Sequence, residues 1–145
     1  LKQNRMTPTH QPITRLLRHY GALSRTHLGL QDGICALREP DGQEAVVLEV
    51  PASSGVLLLH SDVMRFQGEV STAVYQLMLM LNFEMAAMKG CWLALDENTT
   101  LRLCTQHTAE SLDEPSFTAL LPAFISQAKE TRLLIRGLLP RFIAA

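Results

Sequence analysis

His60, Ser61 and Asp62 stand side by side and supply the three residue types of a hydrolytic relay. In such a relay the hydroxyl attacks, the imidazole takes its proton and the carboxylate orients the ring. Neighbouring residues of a strand point to opposite faces, so this run does not form the relay by itself. Cys104 and His107 lie at odd spacing and would likewise face apart, which leaves a cysteine hydrolase dependent on remote contacts. His10, His19, His27, His60 and His107 include no i, i+4 pair, and no H-E-x-x-H run is present to grip a metal from one helix face. The phosphate-cradling runs G-x-x-x-x-G-K-[ST] and G-x-G-x-x-G are also missing. The chain is expected to have no catalytic residue, no metal and no cofactor. A small hydrolase using Cys104 or His60 is the minor alternative.

Composition points the same way. The 145 residues carry 13 Lys and Arg against 14 Asp and Glu. That length suits one domain, and the near balance of charge argues against a nucleic-acid partner. Charge is uneven along the chain. Residues 1–27 hold Lys2, Arg5, Arg15, Arg18 and Arg25 and no acid, whereas residues 28–97 are acidic. Cys35, Cys91 and Cys104 show no C-x-x-C spacing, which fits a reducing compartment and three small core residues in strands. No apolar run approaches the roughly 20 residues of a spanning helix, and Lys2 and Arg5 are followed by no secretory h-region. Membrane insertion is not expected.

The elements follow from periodicity. Residues 1–11 are polar and read as a flexible segment. Ile13, Leu16, Leu17 and Tyr20 recur at helical spacing after Pro12, predicting an amphipathic helix over 12–23. Strands are expected at 34–39, 44–50 and 56–60, the first two joined by the turn Pro40-Asp41-Gly42. Val46, Leu48 and Val50 alternate with Ala45 and Val47, so the second strand is apolar on both faces and needs cover on both. Residues 63–88 carry the strongest helical pattern, interrupted only by Gly68. Apolar nearly all round, that helix needs a second cover beyond its own sheet, and a second copy of the chain is a simple candidate. Two more strands, 91–95 and 100–106, flank the turn Asp96-Glu97-Asn98. Asp113 is the expected cap of a last helix reaching Gly137, with a kink or restart at Pro122. The order is α-β-β-β-α-β-β-α, an α+β two-layer domain over 12–137 with an antiparallel five-stranded sheet, three helices and an apolar tail at 138–145.

One pattern is more specific. The run Tyr75 to Glu84, then Gly90, Trp92 to Asn98, Leu101-Arg102-Leu103, Leu112-Asp113 and Phe117 resembles the Tir-chaperone family, the class I chaperones of bacterial type III secretion. The family's element order matches the one above. The resemblance implies a homodimer in the bacterial cytoplasm with no enzymatic activity. It would bind the amino-terminal segment of one or more secreted effector proteins in extended form, keep it secretion-competent and help present it to the secretion ATPase. Carried onto this chain, the dimer contact falls on Val74, Leu77, Met78, Leu81 and Trp92, and the client surface on Leu17, Tyr20, Val46, Leu48 and Leu58. The alternative is a regulatory or scaffold domain of the same shape that binds folded partners.

Overall fold

The structure is a computed structural model and describes residues 10–143, with side chains to 141. The elements are α1 (His10–Leu23), β1 (Ile34–Arg38), β2 (Glu44–Glu49), β3 (Val56–Arg65), α2 (Thr72–Phe83), α3 (Met85–Met88), β4 (Trp92–Leu95), β5 (Thr100–Thr108), a 3-10 turn (Ala109–Ser111) and α4 (Glu114–Ile143). The five strands form one sheet in the order β1-β2-β3-β5-β4, and the α+β class expected from the sequence holds. The chain divides into two compact units, one built from residues up to Leu59 with Gln106–Pro122, the other from His60–Thr105 with the residues after Pro122.

In the first unit, α1 turns Ile13, Leu16 and Leu17 inward, as their spacing requires. The helix starts at His10, before Pro12. Pro12 is then the third residue, where a helical N–H has no partner to lose. Residues 1–9 of the expected flexible segment lie outside the described residues. β1 and β2 pair antiparallel, with Cys35 opposite Leu48 and Leu37 opposite Val46. Their turn closes through Glu39 N–H to the Gln43 carbonyl at 2.7 Å, and the Asp41 carboxylate accepts from Gln43 N–H at 2.9 Å. Ala45, Val46, Val47, Leu48 and Val50 are all buried, so the two-sided strand is covered on both faces within the chain. Gly33 sits where the backbone enters β1, at φ +76°. Its carbonyl accepts from Val50 N–H at 2.8 Å, and a Cβ there would lie 2.8 Å from the Val50 carbonyl oxygen. Only glycine meets both demands.

The second unit departs from expectation at its start. Residues 63–65 continue β3 as a strand. Ser61 and Val63 are buried while Asp62 is exposed and Met64 half-buried, a period of two that runs up to the strand's last residue. Phe66 N–H then donates to the Thr99 carbonyl at 3.1 Å, which holds the strand end. Val63, Phe66 and Val70 also match helical spacing, so the local pattern is ambiguous there and the long-range bond decides it. The expected helix over 63–88 is therefore α2 and the one-turn α3, separated at Glu84. β4 and β5 pair antiparallel, with Trp92 opposite Cys104 and Leu93 opposite Leu103. At their turn one Asp96 carboxylate oxygen accepts from the N–H groups of Asn98 and Thr100, each at 2.9 Å.

The last helix is capped as predicted. Asp113 Oδ1 accepts from Ser116 N–H at 2.8 Å, and Ser116 Oγ accepts from Asp113 N–H at 2.9 Å, a reciprocal box. No restart occurs at Pro122, since α4 is continuous to Ile143. Pro122 lies on the exposed side, so the carbonyl that loses its partner there is left to water. The residues expected as a tail, up to 143, extend the same helix.

Candidate functional site

The residues that resemble a relay are separated by the strand that carries them. His60 Nδ1 lies 2.9 Å from Arg102 Nε, which donates to it. Ser61 is fully buried on the opposite face. Asp62 is exposed, with its carboxylate 3.6 Å from Arg132 and its carbonyl accepting from Arg132 Nε at 2.9 Å. His60 and Asp62 are thus turned to different arginines, and Ser61 faces away from both. Cys35 and Cys104 are buried, and Cys91 is half-buried just before β4 rather than inside a strand. Burial pushes all three thiols above the usual range, the reverse of what a nucleophilic cysteine needs. Among the described residues, no three His, Cys, Asp or Glu side chains gather so as to hold a metal, and no helix is long and apolar enough to cross a membrane.

What the fold leaves open is apolar. On α2 the residues Val74, Leu77, Met78 and Leu81 are buried, at spacings of three and four. The opposite stripe is exposed: Tyr75, Leu79 (72%), Met80 (52%) and Phe83 (86%), continued by Met85 (84%) at the start of α3. Gln76, Leu79, Met80, Phe83 and Glu84 line a shallow groove of about 400 Å³ on this side. Each such side chain stabilises by roughly 1.5–3 kcal/mol when withdrawn from water, so a row of them on one helix marks a contact surface.

This geometry redistributes the residues expected to form the site. Val74, Leu77, Met78 and Leu81, expected at a dimer contact, are core residues of the single chain. The helical period shows two apolar stripes but not which one faces the chain's own sheet. Trp92 remains half-exposed on β4. Of the expected client surface, Leu17, Val46 and Leu48 are completely enclosed. Leu58 is half-buried on β3, and Tyr20 is half-buried with its ring edge-on to Phe117 at 6.1 Å. The exposed apolar residues Leu79, Met80, Phe83 and Met85 were not assigned to any surface from the sequence. Their signal was the 75, 79, 83 spacing on the side away from 74, 77, 81.

The bare apolar helix face is a surface suited to contact with another protein. The family model of the Tir chaperone protein (CesT) family matches residues 13–132, and the chain belongs to that family. Among solved structures it is similar to the ExsC–ExsE complex, at 22% identity and a TM-score of 0.74, covering 89% of this chain and 96% of that one. It is also similar to the HopA1–SchA chaperone–effector complex, at 15% identity and a TM-score of 0.69, over 88% and 98% of the two chains. The Yersinia pestis type III secretion chaperone SycH, in complex with a stable fragment of YscM2, follows at 16% identity and a TM-score of 0.55, over 79% and 95%. Comparison with curated proteins finds no significant sequence match.

Proposed function

We propose that this protein is a type III secretion chaperone that binds, as a homodimer in the bacterial cytoplasm, the amino-terminal segment of a secreted effector. The exposed stripe of α2, carried by a member of the Tir chaperone family, is the observation that supports this most strongly. Leu79, Met80, Phe83, Met85 and Trp92 form the face that a second copy covers. The client lies extended along the remaining surface, held by main-chain bonds at the open edge β1 and by short apolar anchors near Tyr20, Ile34 and Leu58. Ordering a disordered segment costs about 2–5 kcal/mol, so holding it requires a long contact rather than one pocket. Holding needs no hydrolysis, and the protein acts without catalysis, keeping the client unfolded and aiding its delivery to the secretion ATPase. Two of the similar structures, named as ExsC–ExsE and as a chaperone–effector complex, are complexes with a second protein, which fits this reading.

Co-expression with the protein encoded beside it, followed by affinity capture and light scattering, tests the proposal. Two copies of this chain with one client are expected. A subunit that stays monomeric at tens of micromolar and retains no client overturns it.

A further inference from the structure

A second concave surface, in the first unit, carries basic groups. At the carboxyl end of α1 a cavity of about 560 Å³ is lined by Arg18, Ala22, Arg25, Thr26, His27 and Leu28. The chain builds it by doubling back on the helix. Thr26 N–H donates to the Gly21 carbonyl at 2.8 Å, and Ser24 donates to it through both its N–H and its hydroxyl, at 3.1 and 3.3 Å. Gly21 is required for that approach, because a Cβ there would sit 2.4 Å from the Thr26 carbonyl oxygen. Arg25 occupies the left-handed region at φ +56°, a place in such a turn ordinarily given to glycine or asparagine.

The basic groups are uncommitted. Backbone and serine donors already reach the Tyr20, Gly21 and Ala22 carbonyls near the helix end without a guanidinium group. Among the described residues, no ion pair or side-chain hydrogen bond engages Arg18, Arg25 or His27. Residues 1–27 contain no acid that might neutralise them. Ala22 and Leu28 add an apolar wall. We infer that this cavity receives an acidic segment of the client with an apolar residue beside its carboxylates, and that Arg18 and Arg25 are its anion-binding groups. The inference rests on the chaperone reading and gives it a charge preference. Guanidinium binds carboxylate through paired parallel hydrogen bonds, which supplies selection that an apolar groove lacks. A polynucleotide fits less well. The cavity lining includes no Phe, Tyr or Trp ring to stack a base, and residues 28–97 carry ten acids against three bases.

The test uses the full chain and fluorescein-labelled synthetic 15-residue peptides: one of interspersed Asp and Leu, one with Asn in place of every Asp, and an oligothymidylate of similar length. The Asp peptide is expected to bind at least about tenfold tighter than the Asn peptide at low salt, with the advantage fading by about 0.5 M NaCl. Arg18→Ala with Arg25→Ala removes the preference, and Arg15→Ala, on the same helix but outside the cavity, keeps it. Arg25→Gly weakens binding while leaving the denaturation midpoint unchanged or higher, which separates a lost ligand contact from a lost fold. Equal binding of the two peptides, binding of neither, tighter binding of the oligothymidylate, or a preference that survives the double substitution overturns the inference. If the preference is absent while the wild-type chain still captures its effector, the cavity assignment fails and the chaperone reading stands. If the wild-type chain captures no effector, both fail.

Discussion

Asn82 holds Leu93 by both of its backbone polar groups: Asn82 Oδ1 accepts from Leu93 N–H at 2.6 Å, and Asn82 Nδ2 donates to the Leu93 carbonyl at 3.1 Å. A helix side chain thereby does the work of a neighbouring strand at the outer edge of β4, the last strand of the sheet. It fixes α2 against β4 and closes that edge to strand addition at this point. Asn82→Ala leaves both groups of Leu93 unpaired and is expected to cost about 1–3 kcal/mol. Asn82→Asp, which keeps the acceptor and loses the donor, should fall between. Urea denaturation at fixed protein concentration measures both.

With the outer stripe of α2 proposed as the dimer surface, the two faces of the helix should separate folding from assembly. Leu77→Ala removes a buried side chain and is expected to destabilise the subunit by about 2–5 kcal/mol. Phe83→Ala should leave subunit stability within about 0.5 kcal/mol and weaken self-association by at least tenfold. Circular dichroism with sedimentation analysis distinguishes these. If Phe83→Ala unfolds the chain, or leaves self-association untouched, the assignment of the outer stripe to the dimer fails.

Much of this was legible in the sequence. The inward stripe of α1, the two-sided β2, the Asp113 cap and the Pro40-Asp41-Gly42 turn depend on residues near one another in the chain. The strand at 63–65 was not legible, because its period competes with a helical one and the deciding bond reaches Thr99 from Phe66. Which stripe of α2 faces inward depends on the sheet beneath it. Asn82 is one polar residue in an apolar run and gains meaning only when Leu93 lies beside it. The cavity at Arg18 and Arg25 exists only because Thr26 folds back over Gly21, a contact that no periodicity encodes.

Two glycines with left-handed backbones offer an internal control. Gly42 has φ +85° and open space where a Cβ would stand, so Gly42→Ala should cost about 1–2 kcal/mol for backbone strain alone. Gly33→Ala meets the Val50 carbonyl oxygen at 2.8 Å as well and should cost clearly more. Thermal unfolding midpoints of the two variants should fall in that order.

Asp113 makes the start of α4 acid-sensitive. Hydrogen bonds from the Ser116 side chain and backbone hold its carboxyl below the usual range. A depressed folded-state value means that its stabilisation is present above the unfolded value of about 3.9 and is lost as pH falls through the folded one. Asp113→Asn should therefore differ most from wild type near neutrality, with the gap narrowing below about pH 4. Urea midpoints measured from pH 7 downward check the sign, and a gap that widens in acid contradicts it.

Hydrogen exchange on the purified complex of this chain with its effector tests the central claim most directly. The account predicts protection spread along an extended amino-terminal client segment that is unprotected when free, together with protection at β1 and α1 of the chaperone. A client that is already folded and gains protection only at a compact patch would contradict it, and would mark the protein as a scaffold for folded partners.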